Sequence, residues 1–295
     1  STDVPSGQGF GYSLKMDCTA ADASPAAADK LQVVQRIEGQ NLQHLLKGTS
    51  SAKKVTLSFW VKTNKTGTYI IELNDQDNTR VISQAYTVSA SNTWEKKELT
   101  FDGDTTGAFD NDNGLSLIVV WHLAAGSDLT SGTLQTSWAT TVAANRAVGQ
   151  VNLADSTSNE WYMTGCQLEV GSTASGFEFE PHASTVQKCQ RYYQVNPAGA
   201  GKFSSTGSQF AGMMALPVAM RTVPTLGRIN TSNAIDQLYS GRKNLASSGT
   251  LGAYDSPPSG YVNSSLSVVA NVSPSASAGA MGAFMVGHIS LDSEL

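Results

Sequence analysis

The chain is short of charge. Asp, Glu, Lys and Arg make up 15% of its 295 residues, where about 25% is usual for a soluble globular protein. Polarity comes instead from Ser, Thr, Asn and Gln, accompanied by 27 glycines. Uncharged polar residues mixed with turn formers favour β-sheet layers over the helical core of a cytosolic enzyme. Basic runs are missing too. The 19 Lys and Arg against 24 Asp and Glu leave a net charge of −5, and the cations never cluster. A surface that tracks phosphates needs such clustering, so nucleic acid is not an expected partner. No apolar run reaches the ~18 residues that span a bilayer, so no membrane insertion is expected. Residues 1–11 lack the charged-then-apolar profile of a secretory leader. The chain opens without Met and soon enters strand-like FGYSLKM (residues 10–16), from which we expect further residues ahead of Ser1. Cysteine is scarce and odd in number: Cys18, Cys166 and Cys189. Three cysteines cannot form a fully paired framework. Buried reduced thiols are expected, with a Cys166–Cys189 bridge as the alternative. Repeats of fixed period and heptads are also absent, which removes solenoids, propellers and a coiled-coil shaft.

What remains is alternation. In VTLSFWVK, Val55, Leu57, Phe59 and Val61 share one face, and Thr56, Ser58, Trp60 and Lys62 the other, the period of a half-buried strand. Turn chemistry at Asn64-Lys65-Thr66-Gly67 follows, and residues 68–73 (TYIIEL) read as the return strand of a hairpin. Further strands are expected at 81–87, 94–101, 115–121 and 161–170. Ahead of these, residues 31–37 are strand-like. Leu42, Leu45 and Leu46 then fall at i, i+3 and i+4, one helical turn stopped by Gly48. Residues 122–160 carry little periodicity and read as an elaborated loop. The length fits one large or two medium domains. Composition shifts near 181–196, with a linker-like stretch at 197–201, and short apolar strands continue to residue 290. The chain is therefore expected to be all-β, with a sandwich over about 1–180 and a smaller C-terminal β domain over about 186–295.

The residues that carry chemistry are sparse. A hydrolase needs paired carboxylates or a nucleophile with its base. The four histidines, His44, His122, His182 and His288, accompany no nucleophile motif such as G-x-S-x-G. His44 is expected exposed, and His122 is expected at a strand end with its hydrogen bond satisfied. No enzyme is expected. Asp110-Asn111-Asp112-Asn113-Gly114 resembles the opening of a calcium loop, with Asp110 and Asp112 as oxygen ligands two residues apart. The downstream bidentate Glu is missing, so a structural calcium stands beside ordinary turn chemistry. The turn Asn74-Asp75-Gln76-Asp77-Asn78 has the same limitation. Trp60, on the polar face of its strand, either stacks on a sugar or packs beneath a loop. Tyr239, Tyr254 and Tyr261 sit among Gly, Ser and Pro, a mixture typical of adaptable recognition surfaces. The apolar stretches GMMALPVAM (212–220) and AGAMGAFMV (278–286) fit either core or a subunit interface.

Several phrases carry a family resemblance. Residues 47–127 and 147–194 resemble the jelly-roll module of bacteriophage tail-fibre proteins. QLEVG (167–171) resembles the last strand of that module. FEFEP (177–181) with CQRYY (189–193) resembles the junction that follows, and ISLDSEL (289–295) resembles the C-terminus of such chains. The resemblance covers roughly residues 1–195 and the last strand; residues 196–288 match nothing recognisable. It implies a jelly roll similar to carbohydrate-binding modules and a non-enzymatic adhesion role on the virion. It also implies a homotrimer, other tail proteins as neighbours, and a host cell-surface glycan or receptor as target. A capsid-surface decoration protein and a carbohydrate-binding module of a polysaccharide depolymerase remain alternatives.

Overall fold

A computed structural model describes residues 1–195, 216–222 and 293 in full and, between 199 and 292, the backbone of nine strands. The chain divides into two compact units, Ser1–Glu178 and Phe179–Leu295. Both are built almost wholly from antiparallel strands, so the protein is all-β.

The first unit holds nine strands: β1 (Leu14–Asp17), β2 (Lys30–Glu38), β3 (Val55–Thr63), β4 (Gly67–Asp75), β5 (Arg80–Val88), β6 (Glu95–Phe101), β7 (Leu115–Ala125), β8 (Ala139–Thr140) and β9 (Glu160–Val170). They form a four-stranded sheet, ordered β1-β9-β3-β6, and a five-stranded sheet, ordered β2-β7-β4-β5-β8. Alternation does the work in β3. Leu57, Phe59 and Val61 point inward with Leu99, Phe101 and Trp161 from neighbouring strands. They meet Tyr69, Ile71, Leu73, Tyr86, Val119 and Trp121 of the other sheet in one core. Phe59 lies edge-on to Tyr86 and to Trp121, at 5.2 and 6.1 Å between centroids, the offset geometry that the ring quadrupole favours. Leu42 and Leu45 join this core from two 3-10 turns, Gly39–Asn41 and Gln43–Leu45, rather than from one helical turn.

Two expectations are corrected here. Strands β3 and β4 do not form a hairpin: β3 pairs with β6 and β9, and β4 with β5 and β7. The short connection crosses between sheets, with Gly67 at φ 130°, a conformation that L side chains rarely adopt. The reason lies in the sequence of β4, where Ile70, Glu72 and Asn74 on its outer side are as buried as Tyr69, Ile71 and Leu73 on its inner side. A strand covered on both faces belongs inside a layered sheet. The cover comes from the irregular stretch. Ser83 donates its N–H to the Gln135 carbonyl at 2.7 Å, and the Ile70 N–H donates to Gln150 Oε1 at 2.8 Å. A single-turn helix, α1 (Ser127–Thr130), lies in the same stretch and buries Leu129. Residues 126–152, apart from β8 at the sheet's edge, thus form a third layer over the five-stranded sheet. The second correction concerns the burial of the thiols: the three cysteines are free, with no Cys166–Cys189 bridge, but Cys166 and Cys189 are exposed and Cys18 is half-buried. Cys166 sits where β9 bulges against β3, turned out of the core.

The opposite surface, the outer face of the four-stranded sheet, is polar and partly crossed by both ends of the unit. Thr164 donates to the Tyr12 carbonyl at 2.8 Å, and Thr100 to the Ser172 carbonyl at 3.1 Å. Phe10 rests against Gly165, which is at φ 58°; a Cβ there would fall 2.4 Å from the Phe10 ring. Only glycine accommodates both the backbone and the ring.

The second unit opens with helix α2 (His182–Gln190), whose first turn follows Pro181. Strand β10 (Tyr193–Val195) pairs with β19 (Ile289–Asp292), which pairs with β13 (Thr225–Arg228). Six named strands, β11 (Gly199–Phe203), β12 (Gln209–Ala215), β14 (Gln237–Ser240), β16 (Leu251–Ala253), β17 (Ser265–Asn271) and β18 (Met281–Met285), with β15 (Lys243–Asn244), form a sheet ordered β15-β14-β18-β11-β12-β17-β16. Leu216 and Met220, from one of the two Met-rich apolar stretches, are buried.

Candidate functional site

The outer face of the four-stranded sheet gathers aromatic and charged side chains. Strand register sets Lys15 opposite Tyr162, and Tyr162 opposite Lys62, so three neighbouring strands present a row across the sheet. Trp94, just ahead of β6, completes it. The Lys62 ammonium lies 4.8 Å from the Tyr162 ring centroid and 5.9 Å from that of Trp94. The two rings are 6.3 Å apart and inclined at 66°. Asp3 reaches into this group from the N-terminal segment: the Trp94 indole N–H donates to Asp3 Oδ1 at 3.0 Å, and Lys62 pairs with Oδ2. The Lys62 bond, then the Trp94 bond, holds the Asp3 carboxyl below its usual range. Beside it, Lys15 Nζ meets Glu160 Oε1 at 2.6 Å, and the Tyr162 hydroxyl donates to Oε2 at 2.5 Å. Lys15, then Tyr162, lowers the Glu160 carboxyl likewise.

Trp60 lies on the same face, two residues before Lys62, opposite Lys96 of β6 and Thr164 of β9. It is half-buried, so part of its indole meets solvent. The part-exposed indoles of Trp60 and Trp94 are suited to stacking on the apolar face of a sugar, while the Lys62 ammonium and the Trp94 N–H, donors of the kind that take its oxygens, are engaged by Asp3. Of these residues only Trp60 stood out in the sequence. Trp94, at a strand start, read as better suited to packing than to ligand contact, Tyr162 and Lys62 read as ordinary strand positions, and nothing distinguished Asp3.

The ionisable groups of the interior hold loops. Glu72 on β4 is fully buried beneath the third layer and accepts two bonds from Arg146, Nε to Oε2 at 2.7 Å and Nη2 to Oε1 at 2.6 Å. Asn74 donates to Oε1 at 3.0 Å. His122 is not at a strand end, because β7 continues to Ala125 and the ring is fully buried. Gln32 Nε2 lies 3.1 Å from Nδ1, while Nε2 of the ring is 3.7 Å from Glu72 Oε2, beyond hydrogen-bond reach. Burial pushes the Glu72 carboxyl up, but Arg146, followed by His122, more than reverses this and lowers it to about 2 from an ordinary 4.5. A carboxyl depressed on folding stabilises the fold above its unfolded pKa and loses that contribution as pH falls through the folded one. The term, on the order of 3 kcal/mol, is expected to be full above pH 4.5 and to disappear toward pH 2. Denaturation midpoints measured across that window check it: Glu72→Gln should flatten the acid slope, and an unaltered slope would exclude Glu72 as its source.

A second cluster sits at Lys47, whose ammonium meets Asp75 Oδ2 at 2.5 Å and Asp104 Oδ2 at 3.2 Å. Arg80 Nε also reaches Asp104 Oδ2, at 2.6 Å. A cavity of about 20 Å³ beside Lys47, Phe109 and Trp138 has room for one water.

The candidate calcium residues lie on an exposed turn. Asp112 Oδ1 accepts the Gly114 N–H at 2.7 Å, an Asx-type bond, and the Asp110 N–H donates to Asp77 Oδ2 at 3.0 Å. The two acidic turns therefore touch, which the sequence did not indicate. Among the described residues no three acidic, His or Cys side chains gather as a metal set. Tyr254 and Tyr261 lie outside the described residues; Tyr239 is placed on β14 by its backbone alone. His44 is exposed, as its turn predicted. No family model, no curated protein and no solved structure matches the chain.

Proposed function

We propose that the chain is a non-enzymatic adhesion module of a bacteriophage tail fibre, with a carbohydrate-binding jelly roll as its N-terminal unit and a β tip as its C-terminal one. The jelly-roll assignment draws on strand order. Without two-residue β8, β1-β9-β3-β6 faces β2-β7-β4-β5, and every link except β4 to β5 passes from one sheet to the other. Such alternation is what rolling two Greek keys into a sandwich requires. The observation that carries the binding role is the outward face on which half-buried Trp60 and Trp94 accompany Lys62, with buried Tyr162 packed beside them. Helix α2 buries none of its nine residues, and Tyr193 and Val195 of β10 are 44% and 50% exposed. A second and third copy would cover such side chains, in keeping with a homotrimer that multiplies weak contacts.

The test is binding of the full chain to host cells and to isolated host surface polysaccharide. Trp60→Ala is expected to weaken it about tenfold or more, or roughly 1.4 kcal/mol per site. Unchanged binding with an unchanged circular-dichroism spectrum would reject this sheet face. Release of reducing ends from the polysaccharide would instead favour the carbohydrate-binding part of a depolymerase. Sedimentation should give three times the 31.0 kDa chain mass.

A further inference from the structure

We infer that Lys62, Trp94 and Tyr162 form a site for the carboxylate of an acidic sugar, and that Asp3 occupies it in the ligand's place. The inference rests on the glycan-binding reading above and names the site and the ligand class.

The geometry is that of a carboxylate receptor already holding a carboxylate. Two donors of different kind converge on one group: the indole N–H of Trp94 on Oδ1 and the Lys62 ammonium on Oδ2. Lys15 is engaged with Glu160, so the charge that Asp3 answers is that of Lys62. The receptor is fixed. Lys62 and Tyr162 stand on paired central strands, and the Lys62 side chain, held between two rings, is 14% exposed. The occupant is the looser partner. The Asp3 side chain is 40% exposed, and a rotation about its own bonds would free both donors without moving the sheet.

The segment that carries Asp3 is held elsewhere. Pro5 is buried, Phe10 rests on Gly165, and Ser13 Oγ donates to the Asp3 carbonyl at 2.6 Å. Departure of the carboxylate therefore leaves the segment anchored. A tethered competitor of this kind lowers the apparent affinity for a free ligand by the fraction of time that it fills the site.

Aromatic surroundings specify the rest of the ligand. Tyr162 is buried beneath the Lys15 and Lys62 ammonium groups, and half-buried Trp94, inclined to it and not stacked on it, is the ring with surface left for a sugar. Trp60 lies about 7 Å away along the same strand face, within reach of an adjoining residue of the glycan. An ammonium with ring faces beside it takes a carboxylated sugar, whether a uronic or a sialic acid, in preference to a neutral one.

The probe is a short oligogalacturonide, compared with its methyl ester, which has the same sugars without the charge. Titration of the full chain with both should show Asp3→Ala binding the acid about tenfold tighter than wild type, with the ester unchanged. Asp3→Asn, which keeps the side-chain volume and an acceptor for the indole, should show the same direction and serves if the alanine variant does not fold. Adding Lys62→Met should remove the gain. Equal affinity of folded Asp3→Ala and wild type for the acid, or an equal gain for acid and ester, would overturn the inference. Binding of host polysaccharide by wild type without an acid-selective gain would leave adhesion standing and remove only this site. An acid-selective gain with no host polysaccharide bound would keep the site and remove adhesion.

Discussion

Replacing Arg146 with alanine is expected to cost about 3–5 kcal/mol of stability, because it strands a buried carboxylate. Glu72 has no exposed surface, and both of its oxygens take a guanidinium N–H, at 2.6 and 2.7 Å. A guanidinium presents two parallel donors to a carboxylate, a fit that a lysine would not reproduce. Arg146 also ties the third layer down through its backbone, since its carbonyl accepts from Ser83 Oγ at 2.9 Å. The measurement is chemical denaturation at neutral pH with the slope held in view, since a changed slope would mean that the layer had already opened. Combining Arg146→Met with Glu72→Leu should recover most of the loss, because removing both charges removes the stranded one. A loss under 1 kcal/mol for the single variant would mean that water reaches Glu72. Glycan binding should not change at temperatures where the variant is folded, because the candidate site lies on the other sheet.

Lys47→Met is expected to be of similar size, about 3–5 kcal/mol. The Lys47 side chain is 4% exposed and Asp75 is fully buried. Its ammonium also donates to the Thr106 and Gly107 carbonyls, at 2.9 and 2.7 Å. Methionine fills the stem's volume but leaves Asp75 with its Asn78 bonds alone and both carbonyls without that donor. Asp104 suffers less, because Arg80 still supplies bonds at 2.6 and 2.9 Å. Removing the second charge as well, with Asp75→Asn, should therefore cost less than the two single changes summed, a coupling that a double-mutant cycle measures. Strict additivity would show that Lys47 and Asp75 do not depend on one another.

The sequence by itself determined where most strands of the first unit lie and which face of β3 turns inward. Alternation in β3 named Leu57, Phe59 and Val61 as core and set Trp60 and Lys62 outward, because neighbours along a strand must face opposite ways. It failed for β4 and β7, where a third layer buries the outer face too and alternation has nothing to report. Only the tertiary structure decided which strands pair, that residues 64–67 cross between sheets, and which distant groups meet. Arg146 finds Glu72 across 74 positions, His122 finds Gln32 across 90, and Lys62 finds Asp3 across 59. Local pattern records whether a residue faces oil or water over a few neighbours. Which charge will answer another across the chain is fixed by strand order and register, and these arise only when two sheets close on one core.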